Sequence, residues 1–173
     1  MGKLFPSQIG GEMLATMAFL ANSAPSGAFV EVGVYLGGSA EVLYEVAQKQ
    51  RRRLYLYDTF SGIPFADEID SHRVGDFGVG ASFEATQAAF PDAVVQKGIF
   101  PRDQAIPDSI AFVHLDVDQY RSYRECLDTL LPRMVRGGMI LCDDYCLGGA
   151  AKAIDETKAE KELLPDNRIL FRT

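Results

Sequence analysis

Two pairs of aspartates in this sequence each follow a short apolar run. The pairs are Asp116 with Asp118 and Asp143 with Asp144. An apolar run that stops on acidic residues and then passes into a helical pattern predicts a strand whose carboxyl end carries the acids. In open α/β sheets, ligands bind at that edge. The four carboxylates therefore predict one shared, charged site.

Four carboxylates at one edge of a sheet repel one another unless a cation or protons neutralise them. Hard oxygen ligands suit Mg²⁺ or Ca²⁺, so a divalent metal is one prediction for this edge. The alternative is structural: each pair caps the helix or turn that follows its strand. Two pairs on strands expected to be neighbours favour the metal.

A glycine-rich turn supplies a second candidate site. A strand over Ala28–Gly33 leads into the turn Tyr35–Ser39, and a helix follows to about Gln50. Glycines let the backbone approach a ligand closely, and a helix start offers free N–H groups. Tyr35 stands where the dinucleotide fingerprint has its middle glycine, which disfavours a dehydrogenase. A tight turn that holds no ligand would give a similar pattern.

Asp58 follows the second predicted strand, Arg53–Tyr57, about 20 residues after the glycines. An acidic residue at this place suits hydrogen bonds to ribose hydroxyls, although Asp58 could instead cap the turn that follows it. Together with Glu31 and the glycines, Asp58 predicts a nucleoside ligand.

Residues 65–81 lack periodicity and are rich in charges and glycine. A long loop of this kind in a compact domain is usually functional, so the sequence predicts a lid over the acidic edge. His72 lies in this loop, either as a site residue or as an ordinary exposed histidine.

Strand and helix patterns alternate along the whole chain. Because 173 residues fit one domain, this alternation predicts a single α/β domain with a doubly wound, mainly parallel sheet. Residues 1–27 form an N-terminal helix (7–22) and a linker. Pro132 should bend the helix after Asp118 or end it early. The last helix should run from Gly148 to about Leu163, followed by one final strand.

The overall composition excludes several classes of function. A net charge of −7 and a pI of about 4.8 argue against a nucleic-acid partner. No apolar run is long enough to span a membrane, and no signal peptide is apparent. Three cysteines indicate free thiols in a reducing compartment, so we expect the protein in the cytoplasm.

Four stretches resemble the macrocin O-methyltransferase family, which comprises S-adenosylmethionine-dependent sugar O-methyltransferases of macrolide biosynthesis. The stretches are Glu31–Ser39, Asp58–Pro64, Leu115–Tyr120 and Leu131–Tyr145. The resemblance runs from about residue 28 to 156. It implies the three-layer class I (Rossmann-like) methyltransferase fold, here with a shortened C-terminal strand pair of which one strand is visible.

The resemblance also implies roles for individual residues. The glycine turn would hold the methionine end of S-adenosylmethionine, the end of the second strand its ribose, and the turn after Gly98 its adenine. The expected cofactor-binding residues are Glu31, Gly33, Tyr35, Gly37, Ser39, Asp58, Thr59, Gly98, Ile99, Phe100 and Asp116. Asp118, Asp143 and Asp144 match the family's magnesium positions.

The chemistry implied is methyl transfer to a hydroxyl of a small acceptor, such as a sugar or natural product. Because a sulfonium methyl is already activated, catalysis is chiefly alignment of the acceptor oxygen with it. A nearby base then takes the proton: Asp118 is the first candidate and His72 the second. His114, inside a strand, is expected to be a core residue. A cofactor-binding module without catalysis is the alternative, and a homo-oligomer is left open.

Overall fold

Seven strands form one sheet in the computed structural model, which describes residues 5–102 and 104–173. In chain order they are β1 (Ala28–Val32), β2 (Leu54–Asp58), β3 (Val94–Lys97), β4 (Ile110–Leu115), β5 (Met134–Cys142), β6 (Lys161–Leu163) and β7 (Ile169–Arg172). Across the sheet their order is β3-β2-β1-β4-β5-β7-β6. The first five strands pair in parallel, and β7 runs antiparallel to both of its neighbours. The predicted doubly wound, mainly parallel sheet is confirmed.

Helices cover both faces of this sheet. They are α1 (Gly11–Ser23), α2 (Gly38–Gln50), α3 (Phe83–Ala89), α4 (Tyr120–Leu130) and α5 (Gly148–Asp155). α1 and α2 pack into the core on one face, and α4 and α5 pack into the core on the other. All six residues of β4 are buried, as expected for a central strand covered on both sides. In the described part of the chain, none of the helices has the length and apolarity needed to cross a bilayer.

The C-terminal part of the sheet differs from the sequence prediction. The predicted last helix reaches about Leu163, but α5 ends at Asp155 and a further strand, β6, follows. The prediction of a single final strand is therefore wrong, because β6 and β7 form a short antiparallel pair. β6 has three residues, and Leu163 within it is 60% exposed. The sequence of this strand therefore lacks the alternation of apolar and polar residues that would predict it. The Lys161 ammonium group bonds the Ile154 carbonyl near the end of α5.

The N-terminal helix begins later than predicted, while the end of α4 is as predicted. Ser7 was expected to cap a helix over residues 7–22, but α1 starts at Gly11. The Ser7 hydroxyl instead accepts a hydrogen bond from the Ile9 N–H at 3.1 Å. Pro132 lies in a 3₁₀ turn directly after α4, where its ring and missing N–H stop the helix.

Candidate active site

A cavity of about 580 Å³ lies at the carboxyl ends of β1, β2, β4 and β5. Most of the residues that the sequence proposes for the site line it. These are Gly33, Tyr35, Ser39, Asp58, Thr59, His72, Gly98, Ile99, Phe100, Asp116, Asp118, Asp143 and Asp144. Glu31 and Gly37 are not among the lining residues. The glycine turn, the acidic pairs and the loop 65–81 thus share one cavity.

Asp58 fastens the glycine turn to the end of β2. Its Oδ2 accepts hydrogen bonds from the backbone N–H groups of Val34 at 2.7 Å and Tyr35 at 2.8 Å. Its Oδ1 accepts one from the Phe60 N–H at 2.6 Å. The turn-capping role considered from the sequence is therefore present, and Oδ1, which accepts one hydrogen bond from a described residue, has a second lone pair for another donor.

Gly33 lets β1 pass close to β4 at the floor of the cavity. Its φ is +93°, a region that favours glycine, and a Cβ here would overlap the Asp116 carbonyl. Gly37 has a φ of +87° and precedes α2, whose first residues Gly38 and Ser39 line the cavity. Gly37 therefore shapes the start of the helix without itself facing the cavity.

Glu31 lies beneath the cavity and is fully buried. Its Oε1 lies 2.9 Å from Nδ1 of His114, which is fully buried as well. The other ring nitrogen, Nε2, lies 3.6 Å from Asp143 Oδ1, longer than a hydrogen bond. Burial alone would lower the pKa of His114, but Asp143 and Glu31 together raise it to about 10. This core histidine is therefore a buried cation beneath the acidic edge.

Two overlapping groups of side chains at the acidic edge have ligand atoms within 4.8 Å of one another. One comprises Asp116, Asp118 and Asp144, and the other His114, Asp116 and Asp143. Burial, followed by the charges of Asp144 and Asp143, raises the pKa of Asp116 well above its usual range. Asp116 is predicted from the sequence to bind the cofactor, but in the structure it belongs to both candidate metal groups.

Asp144 also holds the loop between β4 and α4. Its Oδ2 accepts hydrogen bonds from the N–H groups of Val117 at 3.0 Å and Asp118 at 2.9 Å, and from the Tyr123 hydroxyl at 2.8 Å. Burial of its side chain is the main cause that raises the pKa of Asp144. The sequence offers a structural cap and a member of a charged cluster as alternative roles for this residue, and in the structure Asp144 has both.

Asp118 occupies a strained turn between β4 and α4. Its φ is +61°, and the Gln119 N–H donates to the Val117 carbonyl at 2.7 Å across it, which makes a γ-turn. Burial, then the charges of Asp144 and Asp143, raises the pKa of Asp118 to about 7. The Oδ1 of Asp118 lies 3.7 Å from Nε2 of His72, so the structure brings together the two predicted bases.

The loop 65–81 is held by hydrogen bonds to Ile63, and His72 within it lies beside Asp118 of the acidic edge. The Ile63 N–H donates to the Asp76 carbonyl at 2.9 Å, and the Gly75 N–H donates to the Ile63 carbonyl at 3.0 Å. Phe77 in the loop makes edge contacts with the rings of His72 and Tyr35, at 5.0 and 5.8 Å between centroids. Aromatic side chains therefore form one wall of the cavity.

Sequence reasoning missed two parts of the site. Residues before α1, including Ser7 and Ile9, line the cavity although nothing local marks them. Arg168 is fully buried and reaches the Asp143 carboxylate at 3.4 Å, the Met13 carbonyl at 2.9 Å and Asp166. In the sequence, Arg168 is recognisable only as a cation directly before an apolar strand. This pattern does not indicate which residues, distant in sequence, it contacts.

Comparison with known proteins identifies the family. A family model described as macrocin-O-methyltransferase matches residues 12–169. The chain belongs to this family. The resemblance inferred from the glycine turn and the two aspartate pairs is thereby confirmed, and membership of a methyltransferase family decides against a dehydrogenase.

Two curated relatives of this macrocin O-methyltransferase family member come from Streptomyces. The chain is 28% identical over 159 residues to the 8-demethyl-8-(2,3-dimethoxy-alpha-L-rhamnosyl)-tetracenomycin-C 4'-O-methyltransferase of Streptomyces olivaceus, covering 79% of this chain. It is 25% identical over 166 residues to the demethyldecarbamoylnovobiocin O-methyltransferase of Streptomyces niveus, covering 83% of this chain. The matches cover 59% and 62% of these relatives, so the chain spans about three fifths of their length.

The fold agrees with that of known methyltransferases. The solved structure of the O-methyltransferase NovP matches 96% of this chain and 81% of its own chain, with a TM-score of 0.79 at 23% sequence identity. The calicheamicin methyltransferase CalS11 covers 92% of this chain with a TM-score of 0.73. The α/β Rossmann-like methyltransferase fold expected from the sequence is confirmed.

Proposed function

We propose that this chain transfers a methyl group from S-adenosylmethionine to a hydroxyl of a small acceptor, such as a sugar or another natural product, with the help of a divalent cation. Family membership and the names of the two relatives, both O-methyltransferases, support the methyl transfer. The observation that carries the proposal is that Asp116, Asp118 and Asp144 converge on the same cavity as the glycine turn.

The cavity fits S-adenosylmethionine in size and in the groups that it presents. Its volume of about 580 Å³ is typical of small-molecule sites. The start of α2 presents backbone N–H groups, the second lone pair on Asp58 Oδ1 suits a ribose hydroxyl, and Gly98–Phe100 line the place expected for the adenine. S-adenosylmethionine, when bound, supplies an activated methyl group.

The acidic edge fits a hard divalent cation. Asp116, Asp118 and Asp144 offer carboxylate oxygens, the ligand type that Mg²⁺ prefers, and burial followed by the charges of neighbouring aspartates raises the pKa of each. Asp143 lies beside them and contacts Arg168. Mg²⁺ held by these residues would lower the pKa of the acceptor hydroxyl and fix its position.

Asp118 is the proposed general base. A pKa of about 7 lets it stay ionised near neutral pH and still accept a proton. Its carboxylate is directed by the γ-turn and lies within 3.7 Å of His72 Nε2. His72 can therefore orient Asp118 or receive the proton from it.

The loop 65–81 is proposed as a lid that excludes water. His72 and Phe77 contribute to the cavity wall from this loop, and the Phe77 ring contacts Tyr35 of the glycine turn. A dry cavity would strengthen the interaction between the carboxylates and the positively charged sulfonium. The lid would also keep the acceptor hydroxyl in line with the methyl group.

Calorimetry with S-adenosylmethionine, with and without Mg²⁺, tests the binding steps of this proposal. Transfer of labelled methyl groups to a panel of sugar-bearing and phenolic acceptors then tests the chemistry. We expect Asp118→Asn to bind S-adenosylmethionine normally but to slow transfer by about 10²–10⁴-fold. Asp128→Asn is the matched control, because Asp128 is 66% exposed on α4 and should leave transfer unchanged.

The outcomes separate the alternatives. If S-adenosylmethionine does not bind at all, the proposed function is wrong. Binding without transfer to any acceptor would instead indicate a cofactor-binding module. Transfer that is insensitive to Mg²⁺ would remove the cation from the mechanism while leaving Asp118 as the base.

A further inference from the structure

Asp70 reaches from the loop 65–81 to the first turn of α4. Its Oδ1 accepts a hydrogen bond from the Tyr120 N–H at 2.9 Å, and its Oδ2 accepts one from the Asp67 N–H at 2.9 Å. The preceding residue, Gln119, makes no side-chain cap of its own at the start of α4. A side chain from a segment 50 residues away thus caps this helix.

The start of α5 leaves room for the same carboxylate. A Cβ at Gly149 would overlap Asp70 Oδ1 and would lie 3.1 Å from the Tyr120 N–H. Gly149 is not among the residues with a positive φ, so its backbone does not require glycine. The contact with Asp70 accounts for a helix-weakening glycine at this position. The carboxylate therefore sits in a notch between the first turns of two helices.

This notch lies next to the proposed base. His72 follows Asp70 by two residues, and its carbonyl accepts a hydrogen bond from the Gln119 side chain at 3.3 Å. The His72 ring then lies 3.7 Å from the carboxylate of Asp118. The cap at Tyr120 and the contact with Gln119 thus attach the loop to the two residues that directly follow Asp118.

We propose that Asp70 is a positioning residue: seated between α4 and α5, it holds the loop 65–81 over the cavity and places His72 beside Asp118. In this proposal the seat adds to the Gln119 contact and is the one carboxylate cap by which the described part of the loop reaches α4. The consequence for proton transfer rests on the proposed function. Gly149 belongs to the same device, because only a residue without a side chain leaves the seat open.

Hydrogen–deuterium exchange of peptides covering residues 65–78 tests the seat without any substrate. Asp70→Ala removes the cap, and Gly149→Ala fills the notch. Both should speed exchange in the loop by about tenfold while leaving β4 protected. Alanine favours a helix more than glycine does. If Gly149→Ala acted only by stabilising α5, it would therefore slow exchange in the loop. The proposal instead predicts faster exchange, so the two explanations can be told apart.

Gly148→Ala is the matched control for this experiment. A Cβ at Gly148 would meet only Ile69 atoms at 3.8 and 3.9 Å, an ordinary contact, so exchange in the loop should stay as in the unmodified protein. Circular dichroism confirms that each variant is folded. Unchanged loop exchange in folded Asp70→Ala or Gly149→Ala would overturn the inference.

A second measurement tests the link to His72. In methyl transfer, Asp70→Ala and His72→Ala should lower kcat with the same change in pH profile, and the double variant should be no slower than either single one. Additive losses would show that Asp70 does not act through His72. If no acceptor is methylated, the proposed function fails, but the exchange result still decides whether Asp70 holds the loop.

Discussion

The backbone at Asp118 has a φ of +61° within a γ-turn, a conformation that a non-glycine residue adopts only under constraint. Asp144 supplies that constraint, because its carboxylate binds the N–H groups of Val117 and Asp118 together. The strain directs the Asp118 side chain to the cavity and brings it near His72. A residue that could be an ordinary helix cap on sequence grounds is thus held at the cavity, where the proposed function uses it as the base.

The pKa of Asp118 predicts how stability depends on pH. Because burial raises this pKa to about 7, the folded protein holds a proton that the unfolded chain, with its ordinary pKa of 3.8, releases at lower pH. The contribution of this group to the stability of the fold is therefore fully present below the pKa of the unfolded chain and is lost as the pH rises towards 7. With a chelator present, the urea concentration at the unfolding midpoint should decrease as the pH is raised from 5 to 8. This decrease should be smaller in Asp118→Asn. An equal fall in both proteins would contradict the assignment.

Arg168 is the other residue whose role comes from distant partners. Its guanidinium is fully buried, and it faces Asp143 and Asp166. We expect Arg168→Met to lower the free energy of unfolding by about 3 kcal/mol, because it leaves the partly buried carboxylates of Asp143 and Asp166 without this cation. Urea denaturation measures this loss.

Arg172→Met is the control for Arg168. Arg172 also forms an ion pair, with Glu162, but its side chain is 54% exposed. Such a surface pair contributes little, so its loss should cost less than about 1 kcal/mol. Similar losses in the two variants would show that burial does not set the role of Arg168.

The sequence indicates the acidic residues of the site but not the cations that compensate them. Asp116 and Asp143 are visible because each follows an apolar run that predicts a strand. Arg168 is not recognisable as a site residue, and His114 is recognisable only as a histidine that points to the same edge, since the roles of both depend on which strands become neighbours. The same holds for Asp70, whose partner in α4 is set by the path of a long loop.

At the scale of elements, the turn between β1 and α2 is built by contacts from two other strands. Asp58 at the end of β2 binds the turn through the N–H groups of Val34 and Tyr35. On the other side, β4 approaches so closely that Gly33 touches the Asp116 carbonyl. The turn therefore has one conformation before any ligand binds.

Gly33→Ala should disrupt this arrangement. Its φ of +93° and the overlap of a new Cβ with the Asp116 backbone both oppose the substitution. We expect a loss of about 2 kcal/mol or more in unfolding free energy, measured in urea. Gly11→Ala, at the open start of α1 with no atom within 4 Å, should change stability by less than about 0.5 kcal/mol. A mild effect at Gly33 would mean that the turn is flexible.

Element prediction succeeds where buried strands alternate with amphipathic helices and fails where the chain is short and exposed. The central strands carry continuous apolar runs, so the apolar run predicts a strand over Ser109–Asp116, one residue longer at each end than β4 itself. β6 carries Lys161 and Glu162 on an exposed edge, so only its pairing with β7 makes it a strand. The start of α1 is also set from outside, where Ser7 packs against Gly38 of α2.

At the scale of the whole molecule, the cavity joins segments from both ends of the chain. Ser7 and Met13 line it from the N-terminal side, and Asp166 and Asn167 line it from the turn between β6 and β7. Arg168 links the two ends through the Met13 carbonyl. A ligand that fills this cavity would therefore stabilise contacts across the entire fold, and not only one loop.

Thermal unfolding tests this coupling. A ligand that binds only the folded protein stabilises it by about 2.7 kcal/mol at 100 times its Kd, which for a domain of this size raises Tm by about 5–10 °C. We expect S-adenosylhomocysteine to give such a shift and NAD to give none, because Tyr35 replaces the glycine that a dinucleotide pyrophosphate needs. An equal shift with NAD would indicate a general nucleotide site. The absence of any shift with S-adenosylhomocysteine would mean that the cavity does not hold this cofactor.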